Sequence, residues 1–229
     1  MAGALVDPAD RILIAQRPAG KHLAGGWEFP GGKLDPGEER AAGLARELRE
    51  EIDIHILHCR PLIRLRHAYA DRDVLLDVWL VDRFAGTPRA LDHQALRWCT
   101  RDELAHADLL AADRAVIAAL RLPAVIESPS GENYQLLRYE ELGSLLSSRK
   151  SELNPCLYGV SCHTPSQVAE AEHAGADFIV LNAVLAAVEL ADVCDHANVP
   201  VFAMRVDLDT AWNCGATGIN RCAAYLSEC

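Results

Sequence analysis

The 229-residue chain has no apolar run approaching the ~18 residues that a membrane-crossing helix needs. It has no basic surplus either. Its formal net charge is −11, which argues against a nucleic-acid-binding face, since such faces need a basic patch. The N-terminus lacks a basic stretch followed by a long apolar one, so no secretory leader is expected and the expected location is the cytoplasm. No C-x2-C pair is present although there are eight cysteines. Without that spacing the usual zinc ligation is missing, and buried, reduced thiols are the expectation. What remains is a chain that is 50% apolar, with enough length for one large or two small domains.

The most informative stretch is residues 26–54, GWEFPGGKLDPGEERAAGLARELREEIDI. Gly31-Gly32 opens a glycine-rich loop, and Asp35-Pro36-Gly37 is turn chemistry, because proline presets one backbone angle and glycine supplies positive φ. From Glu38 the pattern is helical, with Leu44, Leu48 and Ile52 forming one apolar stripe. Glu47, Glu50 and Glu51 are three and four apart, so their charges meet on the helix surface and repel. A divalent cation reverses that sign, because hard cations such as Mg²⁺ take carboxylate oxygens together with substrate phosphates. An ordinary solvated acidic face is the alternative, and the glycine loop before it argues against that.

These residues resemble the Nudix hydrolase signature G-x5-E-x7-R-E-U-x-E-E-x-G-U, with U apolar. Gly32, Glu38, Arg46, Glu47, Leu48, Glu50, Glu51 and Ile54 match, and Asp53 stands where the family has its second glycine. Asp53 is expected to take a left-handed C-cap there, which Asp visits at a cost of about 1–2 kcal/mol. The resemblance implies an α/β chain with the α+β Nudix fold, a mixed sheet sandwiched by helices. It implies Mg²⁺, with Mn²⁺ as a substitute, held by Glu47, Glu50, Glu51 and the Gly31 carbonyl. Arg46 would orient the carboxylates. Glu47 is the candidate for the water's proton, with Glu50 or a glutamate outside the motif as alternatives.

RPAGKHLAGGWEFPGGK, HAYADRDVLLDVWLVDRFAG, LRWCTRDEL and ADLLAADRAVIAAL together resemble the MutT-like branch over residues 4–122. That branch hydrolyses oxidised nucleoside triphosphates to a monophosphate and pyrophosphate. By position, Arg17 and His22 would touch phosphates and sugar, and Glu28, Phe29, Pro30 and Gly31 the nucleotide. Asp113 falls where the branch reads the purine edge. It is equally placed to act as an N-cap, accepting from first-turn amides. Arg97 replaces a metal-ligating Glu of some relatives, and Arg72 is read as part of a hairpin turn.

The expected elements are strands at 4–7, 11–16, 60–70, 73–84 and 96–99, with helices at 38–52, 101–104 and 114–122. Pro123 closes this domain, 1–123, and the polar, turn-rich 124–135 is read as a linker. LLRYEELGSLLSSRK, residues 136–150, reads as a short amphipathic helix. From Leu157 the pattern alternates LYGVSCH, TPSQVAEAEHAGA, DFIVL, VELADVCDHANV and PVFAM, which argues for βαβ units and a parallel sheet. The segment GVSCHTPSQVAEAEHAGADFIVLNAVL resembles half of a thiamine phosphate synthase-like barrel, so 136–229 is expected to be a truncated, partial βα-barrel. Its first half-barrel has no counterpart here. Ala186-Ala187-Val188-Glu189 and Met204-Arg205 replace the phosphate-binding segment and glycine pair that the resemblance calls for. This half is therefore expected to bind no phosphate substrate, to be dispensable for hydrolysis, and to offer open strand edges for a homodimer. A Nudix hydrolase of another nucleoside diphosphate-linked substrate, a thiamine-pathway protein and a non-catalytic nucleotide-binding module are the competing readings. The expected partner is a nucleoside triphosphate, with neither membrane nor nucleic acid.

Overall fold

The structure is a computed structural model that describes residues 1–18, 20, 23–68, 73–143 and 156–222. His22 and Arg72 lie outside the described residues. The chain folds as two compact units. One comprises Met1–Pro61 and Leu76–Ile117, the other Leu62–Leu75 and Ala118–Cys229.

Two small three-stranded sheets come first in the chain. Strands β1 (Ala2–Leu5), β5 (Asp73–Ala85) and β4 (His55–Ala68) form one, in the order β1-β5-β4. β1 runs parallel to β5, with Ala2 opposite Val78. In the other, β2 (Ile12–Gln16) lies between β3 (Trp27–Glu28) and β6 (Leu96–Cys99), antiparallel to both. Helix α1 (Arg40–Ile52) buries Gly43, Leu44, Leu48 and Ile52. Its stripe meets Leu5, Leu13, Ile54, Trp79 and Val81 in one apolar cluster. The fourfold spacing of those apolar residues is what turns one helix face onto the sheets.

Both ends of α1 are closed. Glu39 caps the start, accepting from the Ala42 amide at 3.0 Å. At the other end Asp53 has φ 59° and ψ 40° and donates its N–H to Arg49 and Leu48 carbonyls. The left-handed cap is therefore made without glycine. Arg89 and Leu91 amides bond the Ile52 and Glu51 carbonyls, and the buried Gln94 side chain adds a bond to Glu51 O at 3.1 Å. These take up carbonyls that every helix end leaves unpaired.

Two further helices, α2 (Arg101–Ala105) and α3 (Arg114–Arg121), follow β6. Thr100 and Glu103 form a reciprocal capping box on α2. Trp27 and Leu109 make a parallel bridge, with the Trp27 amide bonded to Asp108 O and the Leu110 amide to Trp27 O, both at 3.1 Å. This brings the segment leading to Asp113 alongside β3.

The second unit contains a curled, all-parallel sheet of half-barrel form, in the order β7-β12-β11-β10-β9-β8. Its strands are β7 (Val125–Ile126), β8 (Tyr134–Arg138), β9 (Leu157–Cys162), β10 (Phe178–Leu181), β11 (Val201–Met204) and β12 (Gly218–Asn220). Helices α4 (Pro165–His173), α5 (Ala187–His196) and α6 (Leu208–Asn213) connect them. Thr164 caps α4 and Pro165 occupies its first turn, as the sequence predicts. Alternate residues of each strand supply two different cores. Val160, Ile179, Leu181, Val201 and Ile219 pack toward Leu190 and Val193 of α5, whereas Leu157, Phe178, Val180, Phe202 and Met204 form the other face. Also in this unit, Arg64 pairs with Asp195 at 2.7 Å.

Several elements differ from expectation: the first strand lies at Ala2–Leu5, and Val125–Ile126, inside the stretch read as a linker, pair with β12 as a strand. Residues 134–138 form a strand, and only Tyr139–Glu141 coil into a 3-10 turn. Leu136 and Leu137 are both buried, on opposite faces of the sheet, and a strand can do this where an amphipathic helix cannot. Residues 144–155 lie outside the described set. Cys59, Cys99, Cys156, Cys162, Cys194, Cys214 and Cys222 are all free thiols. Burial pushes Cys162 and Cys194 up to about 12, so both are held as thiols. Among the described residues no helix is long and apolar enough to cross a membrane.

Candidate active site

Arg46 is the hub of the site, and α1 supplies most of what surrounds it. Its guanidinium donates to Glu38 Oε1 and Oε2, both at 2.9 Å, to Glu47 Oε1 at 2.9 Å, to Glu50 Oε2 at 3.3 Å and to the Lys33 carbonyl at 3.1 Å. These charge-assisted contacts, all on one planar group, fix its plane. The Arg46 bonds, and a further one from the Asp35 amide, hold Glu38 at about 2. Glu38, and then Glu47, push Arg46 above its ordinary range. The charge repulsion read along this helix face is thus met by an arginine of the same helix.

The glycine pair lies against these carboxylates. Glu51 Oε2 accepts from the Gly31 amide at 2.8 Å. Gly31 has φ 150°, and a Cβ there would fall 2.3 Å from Met1 O. At Gly32 a Cβ would fall 2.1 Å from Glu47 Oε2 and 2.6 Å from Oε1. A side chain at residue 32 would push the Glu47 carboxylate from this position.

Glu47, Glu50 and Glu51 offer hard carboxylate oxygens on one helix, a donor set that suits Mg²⁺ or Mn²⁺. Among the described residues, no three His, Cys, Asp or Glu side chains converge as a metal cage. Two of the three glutamates instead face Arg46 and the third faces the Gly31 amide.

At the other end of the site, Arg17 is bonded to Glu28. Phe29 and Pro30 are buried, and the Pro30 carbonyl accepts from the Gly3 amide at 2.9 Å. Asp113 is the last residue of the 3-10 turn Ala111–Asp113 and is only 3% exposed. Its Oδ2 is buried with no hydrogen-bond partner among the described residues, so that oxygen makes no cap bond. Burial pushes the carboxyl up to about 8, the Glu28 charge adds to this, and Arg17 opposes it. The structure thus brings Arg17, Glu28 and Asp113 together at one end and Gly31, Arg46, Glu47, Glu50 and Glu51 at the other.

Two participants are not evident from the sequence. Glu38 matches the motif, but its spacing does not reveal that it holds Arg46 from the side opposite Glu47 and Glu50. Asp77 is 7% exposed and takes a two-point ion pair from Arg40, at 2.6 and 2.8 Å. A lone acid inside the apolar strand VLLDVWLV is the available signal, because buried carboxylates require partners. Arg97 lies 4.8 Å over the Trp27 ring and borders a cavity of about 410 Å³ with Glu103, His106 and Asp108. None of the α1 carboxylates lines that cavity.

Residues 1–119 match the NUDIX domain family. The CTP pyrophosphohydrolase of Escherichia coli K12 is 38% identical over 119 residues, covering 52% of this chain and 88% of that protein. The 8-oxo-dGTP diphosphatase of the same organism is 34% identical over 119 residues, covering 52% and 92%. The MutT Nudix hydrolase of Burkholderia pseudomallei has a solved structure with 30% identity and a TM-score of 0.45, covering 51% and 92%. With its motif, helix and glycine pair in one site, this chain belongs to the Nudix family of pyrophosphohydrolases.

Proposed function

We propose that the protein hydrolyses oxidised purine nucleoside triphosphates of the 8-oxo-dGTP type to nucleoside monophosphate and pyrophosphate, keeping damaged nucleotides out of DNA. The observation that carries this reading is the grouping of Glu38, Glu47 and Glu50 around one guanidinium, beside a glycine that leaves room for Glu47. Glu47, Glu50, Glu51 and the Gly31 carbonyl would hold Mg²⁺ or Mn²⁺. When bound, that ion would acidify a water and offset charge developing on phosphorus. Glu47, close to Gly32, takes the water's proton as the oxygen attacks an inner phosphorus, and pyrophosphate leaves. Arg46 keeps the carboxylates oriented, while Arg17 contacts phosphate and Asp113 the base.

The Asp113 carboxyl suits base reading because a buried oxygen without a partner gains a bond when a base N–H reaches it. With its proton on, the same group donates to a base carbonyl. A cytosine nucleotide is the second reading, favoured by the 38% identity to a CTP pyrophosphohydrolase.

A competition panel of 8-oxo-dGTP, dGTP and CTP, followed by magnesium-dependent pyrophosphate release, tests the assignment. The expected order puts 8-oxo-dGTP first in kcat/KM. Preference for CTP would replace the proposed substrate. Asp113→Ala is expected to erase most of the discrimination between 8-oxo-dGTP and dGTP, by ~1–3 kcal/mol. Unchanged discrimination with lower thermal stability would make Asp113 a purely structural residue.

A further inference from the structure

Helix α1 starts against the usual electrostatic preference. Its first residue is Arg40 and its first turn carries no acid, although the partial positive charge of a helix N-terminus favours anions there. The missing negative charge comes from β5. Asp77 takes both arms of the Arg40 guanidinium, at 2.6 and 2.8 Å, while being only 7% exposed. Trp79, on the same strand, presents its ring to that guanidinium at 5.4 Å. Asp77, Trp79 and Val81 alternate onto one face of the strand, and the latter two pack with Leu44, Leu48 and Ile52 of α1. The helix is thus seated on β5 by an apolar stripe, with an ion pair at its N-terminus.

The glycine loop is tied to the same strand by another route. β1 pairs with β5, Ala2 opposite Val78. On its other edge β1 holds the loop, with the Gly3 amide donating to Pro30 O at 2.9 Å and the Met1 nitrogen to Gly32 O at 2.7 Å. Gly31 is packed directly against Met1. The circuit closes where the loop meets α1, at the bond from the Gly31 amide to Glu51 Oε2 and at the approach of Gly32 to Glu47. Every member of it belongs to the first unit. Two attachments therefore decide how the carboxylates face the loop: the ladder of β1 with β5, and the seat of α1 on β5. Arg40 lies about 10 Å of helix before Glu47.

We propose that Asp77 is a positioning residue for hydrolysis, holding Arg40 so that α1 keeps Glu47 and Glu51 in place over the glycine loop. This rests on the reading of those glutamates as metal-holding carboxylates. Asp77 acts through the helix and needs no contact with substrate. Misplacement of a catalytic group by about 1 Å can cost an enzyme up to ~10²-fold, so a small tilt of the helix start is enough. The competing account is that Leu44, Leu48 and Ile52, all fully buried, seat α1 by themselves, which leaves the Arg40–Asp77 pair a matter of stability alone.

The test compares Asp77→Asn, which keeps the volume and removes the charge, with Leu104→Ala, a core truncation in the same unit but outside the circuit. Both are made in the full chain, and both are expected to lower the melting temperature. The deciding readouts are hydrogen exchange at the Gly31 amide, Mn²⁺ binding followed by the EPR signal of the free ion, and kcat and KM with 8-oxo-dGTP. Only Asp77→Asn is expected to speed Gly31 exchange and weaken Mn²⁺ binding, each by roughly tenfold, and to lower kcat more than it alters KM. Unchanged Gly31 exchange, or an equal change in both variants, overturns the positioning role. Should Asp77→Asn fail to fold, Arg40→Gln breaks the same pair from its more exposed side. A parent chain that takes up no Mn²⁺, or a Glu51→Gln variant that binds it as the parent does, sinks the metal reading on its own. Gly31 exchange then decides the role of Asp77 by itself, with faster exchange in Asp77→Asn supporting it and unchanged exchange overturning it.

Discussion

The two units are held by different forces. Around α1 the first unit spends its polar groups on one another: Arg46 with three glutamates, Arg40 with Asp77, Gly31 with Glu51. The second unit holds its sheet with aromatic rings, branched aliphatics and protonated thiols, and its caps are local. A charge network tolerates few alternatives at each position, because removing one partner leaves another uncompensated. An apolar core tolerates many, provided volume and pattern are kept. The first kind of region therefore writes its chemistry into its residues, and the second writes only its shape.

The largest effect should come from the packed side of that contrast. Phe178→Ala removes a fully buried ring between Tyr134 and Phe202 and should cost the second unit ~3–5 kcal/mol. Calorimetry should show its unfolding transition moving down. A change under ~1 kcal/mol would mean that this core is not close-packed.

On the polar side, Glu51→Gln should lower magnesium-dependent turnover by ~10²-fold or more with the fold unchanged. Circular dichroism establishes the fold and pyrophosphate release the rate. Turnover within a few-fold of the parent would remove Glu51 from the proposed metal set.

Asp113 is the first unit's exception, a buried acid without a counter-charge strong enough to keep it ionised. Its folded-state value, about 8, lies above the ordinary 3.8. Between those values the folded chain holds a proton that the unfolded chain has released. Stability from this group is thus fully present below about 4 and is lost as pH rises through about 8. Asp113→Asn should flatten that fall. A parent melting temperature that rises from pH 5 to pH 8, with no difference in slope from the variant, would contradict the assignment.

The smallest effect is expected at Asp53. Asp53→Gly relieves a left-handed residue but loosens the unfolded chain and loses the Arg89 contact, so stability should move by less than ~1 kcal/mol. Activity should not change. A larger loss in chemical denaturation would show that the Asp53–Arg89 pair contributes more than the cap conformation.

The sequence is legible where local chemistry is specific. The α1 stripe, the Asp53 cap, β6 at Leu96–Cys99 and the strand-helix alternation from Leu157 are all readable. Each depends on residues close together in the chain. β8 reads as a helix because LLRY, followed by glutamates, fits a helix period when its partner β9 is not known to lie beside it. Asp77 is hidden for a similar reason, since its partner Arg40 comes from a distant part of the chain. The grouping of Leu62–Leu75 with Ala118–Cys229 leaves no local trace at all. At the site, the i to i+4 relation of Arg46 and Glu50 is readable from spacing, and the hold of Glu38 on Arg46 is not. Nor is the encounter of Asp113 with Glu28, because it depends on the bridge between Trp27 and Leu109.

The pairing of β7 with β12 also governs the order in which the protein can be made. Val125 lies opposite Ile219, so about ninety residues of chain must emerge before that ladder closes, with the loop entropy such a span implies. The ion pairs of Arg46 with Glu38, Glu47 and Glu50 join residues close in the chain and can assemble while translation continues. The parallel sheet is completed last, by β12 at Gly218–Asn220. A nascent chain stalled before β11 would already hold the Arg46 network, with the parallel sheet unfinished.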